Sequence, residues 1–266
     1  MPDKIFKHIW LKLTSVRTQP YTIDDISIII PSAAGRYEQR WQWFWPQYVA
    51  KTHPEVVKRT LIPCDPAEHK FLLEVTNGHA GVFQVEPRWI VPKTIAALDG
   101  ITTRLTFRLA NDILIVREGW EGLLLKQFNA QEKLQIIGEL QDGISFPESH
   151  KKLARDWSFF QQEYPQPATA QQYPHGSRLF AQTAVWNGYY RLVLRYTPHE
   201  HDELFFSQLA RGDGTCFTNW RGINLYLAHV GITNQDFTGD YISNHIEARR
   251  SELRAASDKH TFTVIP

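Results

Sequence analysis

Arg178–Tyr196 reads RLFAQTAVWNGYYRLVLRY, and its interpretation sets the fold class of the whole chain. Two runs rich in Val, Leu and aromatic residues flank Trp186-Asn187-Gly188. Asn-Gly supplies the positive φ angles of a tight two-residue turn, so the stretch predicts a β-hairpin. Working outward, Thr103–Leu109 and Ile113–Arg117 predict a second hairpin around Ala110-Asn111-Asp112. Ile5–Val16 and Ile23–Ile30 alternate as strands, Gly81–Val85 is a short strand, and Thr261–Ile265 suits an edge strand.

Helices are expected between these strands. Gly35–Val49 places Tyr37, Trp41, Phe44 and Tyr48 at helical spacing, with Pro46 set to kink or end the helix. This aromatic face is read as core. Asp65-Pro66 with Glu68 opens a helix that Asn77-Gly78 closes, and capping accounts for both carboxylates. Lys93–Leu98 is a short helix. Asn129–Leu140 follows an Asn129/Glu132 capping box, and Pro147–Tyr164, Asn219–Val230 and Phe237–Ala256 complete the set. The order lacks regular βαβ alternation. The expectation is therefore an α+β fold of antiparallel hairpins and sheets packed with several helices. It forms one large domain or two subdomains, residues 1–164 and 173–266, divided at the Pro/Ala/Gln-rich stretch 165–172. Neither a Walker loop nor a dinucleotide glycine fingerprint is present.

Composition narrows the function classes. The chain has 266 residues, 42% hydrophobic and 21% charged, with a formal charge of +1, which marks a globular chain without a global pull toward polyanions. Nine Trp residues are a high count; many belong in the core, and the remainder suits a binding surface. Two distant cysteines, Cys64 and Cys216, form no disulfide or zinc framework by spacing. No stretch is apolar enough for a signal peptide or a membrane span. A cytoplasmic protein without a cofactor is expected.

Chemistry-bearing residues cluster around the first stretch. His199-Glu200-His201-Asp202-Glu203 is the densest set of potential ligands, and His199 and His201 at i and i+2 suit one metal ion if a distant third ligand joins them. Arg211–Phe217, RGDGTCF, resembles the nucleophile segment of ovarian-tumour-type cysteine proteases at Asp213, Gly214 and Cys216. The resemblance implies a Cys216 thiolate at a helix start, with His260 as its partner and Asp213 nearby. The competing reading is a glycine turn before a buried cysteine. His175-Gly176-Ser177-Arg178 resembles the ribose-gripping segment of poly(ADP-ribose)-polymerase-type ADP-ribosyltransferases, which implies NAD as ligand and roles for a tyrosine such as Tyr189 or Tyr190 and for Glu247.

A different surface is expected to bind a partner. Trp186, Tyr189, Tyr190, Arg191 and Arg195 on the hairpin, with Arg249, Arg250 and Arg254 on the last helix, suit a protein partner or single-stranded nucleic acid. No complete catalytic set can be assembled from sequence, so a binding or assembly role ranks above the two enzyme readings.

Overall fold

A computed structural model describes residues 19–32, 38–86, 89–133, 135–142, 172–174, 176–195, 215–230 and 260–265, with a few isolated positions around 202–210 and near 250. The expected strand at 5–16, the helix at 147–164, and most of 165–172 and of the helix at 237–256 lie outside the described residues.

The elements begin with β1 (Ile26–Ile29), α1 (Glu38–Lys51), α2 (Pro54–Lys58), β2 (Thr60–Cys64), α3 (His69–Thr76), β3 (Gly81–Gln84), α4 (Ile90–Asp99) and β4 (Leu105–Leu109). They continue with β5 (Ile113–Ile115), α5 (Trp120–Ala130), β6 (Gln135–Gly138), β7 (Leu140–Asp142), β8 (Gln172–Pro174) and β9 (Arg178–Gln182). The last are α6 (Thr183–Val193), β10 (Cys216–Arg221), β11 (Leu227–His229) and β12 (Thr261–Ile265).

One eight-stranded sheet has the order β12-β10-β6-β9-β4-β1-β2-β3. β4-β1-β2-β3 run parallel, as do β10 and β6, while β9 is antiparallel to both its neighbours and β12 is an antiparallel edge. The expected antiparallel α+β architecture is therefore corrected to an α/β fold around a mixed, largely parallel sheet. β1 explains how the core forms. Every residue of ISII is buried, as expected for a parallel strand covered on both faces. Ile26 and Ile28 pack with Trp41, Phe44 and Tyr48 of α1 and with Trp120, Leu124 and Phe128 of α5. Ile29 faces the other way, toward α4 and α6. Helices thus cover both faces.

Three local readings change with the sheet. Arg178–Tyr196 is a strand followed by a helix, and Asn187-Gly188 sits inside α6. Val185, Trp186, Tyr189, Tyr190 and Val193 are buried at helical spacing, and burial of that stripe outweighs the turn tendency of Asn-Gly. Thr103–Leu109 and Ile113–Arg117 contain strands but no hairpin, because β4 pairs with β1 and β9 while β5 pairs with β11. Asn129 ends a helix instead of starting one. Its amide accepts from Tyr21 N at 2.7 Å and donates to Tyr21 O at 2.9 Å, so it is engaged with the chain before β1. The run after it becomes β6.

Asn219–Val230 is likewise not a helix. Gly222, at φ 82, breaks the chain between β10 and β11. Other readings hold: the aromatic face of α1 is core, the Asp65/Glu68 box opens its turn, Asn77 adopts the left-handed stop, and Thr261–Ile265 is an edge strand. Among the described residues no helix is long and apolar enough to cross a membrane.

Candidate functional site

The sheet order locates a site before any side chain is considered. The chain lays down β1, β2 and β3 in one direction and then places β4 on the opposite side of β1. In open parallel sheets, ligands bind outside the carboxyl ends of the strands at such a reversal. Here that point is the gap between the ends of β1 and β4.

Ser32 follows β1 at this edge. Its hydroxyl donates to Glu68 Oε1 at 3.1 Å and accepts from Trp41 Nε1 at 2.9 Å. Lys93, buried on α4, bonds the Ser32 carbonyl and pairs with Asp65 Oδ2 at 3.0 Å. Burial raises the Glu68 carboxyl above its usual range, with the Ser32 bond and the Lys93 charge opposing. Cys64, at the end of β2, is buried. Cys64 donates to Phe83 O at 3.4 Å, and burial pushes its thiol up to about 11.

Across the gap, Ala110-Asn111-Asp112 turns away from β4. Arg40 donates to Asn111 Oδ1 at 3.5 Å. Asp112 Oδ2 lies 3.2 Å from His229 Nε2 at the end of β11, and Val230 N reaches Asp112 O at 3.1 Å. Burial alone would raise the Asp112 carboxyl. The hydrogen bond and charge of His229, with the charge of Arg40, outweigh it and hold Asp112 below the ordinary carboxylate range. Its second oxygen, Oδ1, is buried and makes no well-aligned hydrogen bond, and the residue's own backbone N–H adds to the influences that favour the charged form. A buried acceptor in that state costs free energy.

A second polar lattice lies further along the same edge. Arg178, at the start of β9, pairs with Glu139 Oε2 and donates to Asn224 Oδ1 at 2.7 Å and to Leu227 O. Asn224 Nδ2 in turn reaches Glu139 Oε1 at 3.4 Å. Behind β4, buried Arg108 bonds Asp202, the Tyr190 hydroxyl and the Gly176 carbonyl.

The residues singled out from sequence are not the ones gathered here. Cys216 begins a strand, not a helix, and pairs with Gln135 of β6; its neighbour Phe217 stands opposite Ile265, whereas His260 precedes β12 beyond the other end of β10. Five residues of strand, about 17 Å, separate the two ends, so Cys216 and His260 form no catalytic pair. His260 packs its ring edge-on to Tyr226 instead. Trp186, Tyr189 and Tyr190 are buried in the core under α6, so none offers a face to a base or a partner. Arg191 is exposed and paired with Asp99, and Arg195 is exposed. His175, His199, His201, Asp213, Glu247, Arg249, Arg250 and Arg254 lie outside the described residues. Among the described residues no group of three or more His, Cys, Asp or Glu side chains is placed to hold a metal ion.

Sequence reasoning passed over Asp112, Asn111 and Lys93 and read Glu139 as part of a helix. The one available signal was a polar pair directly after an apolar run, which was read as a hairpin turn.

No protein-family model matches the chain, and no curated protein sequence matches it. Solved structures do resemble it. The 4-diphosphocytidyl-2C-methyl-D-erythritol synthase of Anaerococcus prevotii superposes with a TM-score of 0.51 at 14% identity, over 85% of this chain and 98% of that one. The galactosyltransferase LgtC superposes at 0.45 and 14% identity, over 69% of this chain and 70% of that one. TarS residues 1–349 of S. aureus also reach 0.45 at 14% identity, over 69% of this chain and 54% of theirs. The first of these establishes a shared fold. The expectation of a binding or assembly protein with an aromatic-basic surface for a protein or single-stranded nucleic-acid partner is corrected, because Trp186, Tyr189 and Tyr190 are interior and form no such surface.

Proposed function

We propose that the protein is a transferase that binds a nucleotide-activated donor across the carboxyl ends of β1 and β4. Asp112 carries this reading. It stands at the reversal of strand order with one carboxylate oxygen buried and without a well-aligned hydrogen bond, beside Asn111, Arg40 and His229. The Asp112 side chain as a whole keeps some open surface, and a ribose or sugar hydroxyl is the neutral donor that its carboxylate would accept from there. The guanidinium of Arg40 adds positive charge on the side where a phosphate would lie. Ser32, Asp65 and Glu68 line the β1–β2 side of the same gap. The fold shared with a synthase named for a diphosphocytidyl product supports a nucleotide as the ligand.

Calorimetric titration with CDP, UDP, GDP, ADP and CTP tests the reading. At least one nucleotide is expected to bind at a single site. The Asp112→Asn variant should weaken it about tenfold or more, the effect of losing one hydrogen bond to a charged group. No binding by any of the five, or undiminished binding by the variant, would overturn it. Incubation with the matching nucleotide sugar or nucleoside triphosphate then separates glycosyl from nucleotidyl transfer.

A further inference from the structure

We propose that Glu139 is the acceptor-side residue of this site, binding a hydroxyl group of the polyol or saccharide that receives the transferred group. The inference rests on the transferase reading above and extends it to the second substrate.

Position comes first. β9 lies between β6 and β4, with Phe180 opposite Ile137 on one side and Phe107 on the other. Two residues further, Arg178 pairs with Leu109, which brings Glu139, Arg178 and Leu109 into one row at the carboxyl edge. Two strand spacings put the Glu139 backbone about 10 Å from Leu109, and the chain then runs directly into Asn111 and Asp112. A donor held at Asp112 and an acceptor held at Glu139 would therefore be neighbours.

The carboxylate is also held in a particular way. Arg178 is almost wholly buried, at 2% exposure, while Glu139 keeps 33% of its side-chain surface open. The inner side of the lattice is closed by Asn224 and the Leu227 carbonyl. One Glu139 oxygen takes the guanidinium and the other takes the Asn224 amide. A carboxylate offers about four lone-pair sites, so the outward ones remain for donors from solution. The guanidinium already compensates the negative charge. The open side is thus better matched to a neutral hydroxyl than to a cation. Strand cohesion does not call for this lattice, because β6 and β9 are joined by backbone pairing.

Saturation-transfer NMR tests the proposal with glycerol, erythritol, glucose, galactose and N-acetylglucosamine, each with and without CDP or UDP. At least one polyol or sugar should bind the wild-type protein. Glu139→Gln should weaken it at least tenfold while nucleotide affinity stays within twofold, and Glu139→Asp should restore part of it. Equal polyol binding by Glu139→Gln, or no polyol bound by wild type, overturns the proposal. If Glu139→Gln does not fold, Glu139→Asp carries the test, since it keeps a carboxylate beside Arg178 but withdraws it by one methylene from the open side. Weakened polyol affinity supports the proposal and unchanged affinity overturns it. Polyol binding without any nucleotide binding would refute the donor reading and leave Glu139 standing.

Discussion

Asp112 is acted on from two sides. Burial favours its neutral form, and His229 and Arg40 favour its charged form, with the second influence prevailing. A folded-state pKa below the unfolded value of about 3.9 stabilises the fold above that pH. The contribution disappears as pH falls through the lowered folded value. Thermal melts from pH 6 down to pH 2.5 should therefore show a loss of stability below about pH 4 that is shallower in Asp112→Asn. Parallel curves for the two proteins would remove Asp112 from the acid response. The same residue shows the limit of local reading. Asn-Asp after an apolar strand is ordinary turn chemistry, and nothing nearby in sequence reveals that His229 bonds Asp112 from more than a hundred positions away or that Arg40, about seventy positions away, bonds Asn111 and adds its charge.

At the scale of the element, what was legible was whatever local chemistry decides. The Asp65/Glu68 box, the left-handed Asn77 and the aromatic stripe of α1 are all present as read. The misread elements are those where a local signal competes with burial. Asn187-Gly188 is inside α6 because five buried positions at helical spacing outweigh one turn dipeptide. Pro46 stays within α1 for a related reason: Trp45 and Tyr48 on either side of it are buried, and the helix continues to Lys51.

The two glycines of α5 give a direct test of element assignment. Gly119 caps the helix at φ 77, where a side chain is strained, while Gly122 lies in its first turn with nothing within 4 Å of an added Cβ. Gly122→Ala should stabilise by about 0.5–1 kcal/mol and Gly119→Ala should destabilise by a similar amount, read from urea midpoints. Effects of one sign at both positions would contradict the helix start.

For the whole molecule, sheet order was the quantity that sequence did not reveal. Ile23–Ile30, Gly81–Val85 and Thr261–Ile265 each contain a strand that local pattern identifies, but local pattern favours pairing between neighbours in sequence. β4 in fact takes β1 and β9 as neighbours, and β6 takes β9 and β10. That preference hides the β1/β4 gap and, with it, the candidate site. The assembly is tied behind this gap by Arg108, which joins β4 to Asp202, to Tyr190 on α6 and to the carbonyl of Gly176. Both members of the ion pair are buried. Removing one strands the other, so Arg108→Met should cost about 3–5 kcal/mol in chemical denaturation. The double variant Arg108→Met/Asp202→Leu should recover much of that loss, and a double variant as unstable as the single would count against the pair as the cause.

The antiparallel strand in the middle of the sheet also dictates an order of events during synthesis. β4 and β6 both emerge before β9, and neither can close on the other without it. Until residues 178–182 leave the ribosome, the nascent chain carries the half-sheet β4-β1-β2-β3 with β4 as an unpaired edge and β6 as a lone strand, because β10 and β12 come later still; such an edge is the hazard that natural proteins otherwise shield with charge or cover. β9 is thus a keystone delivered late, and a chain stalled before it would be a candidate for chaperone capture rather than a smaller folded protein.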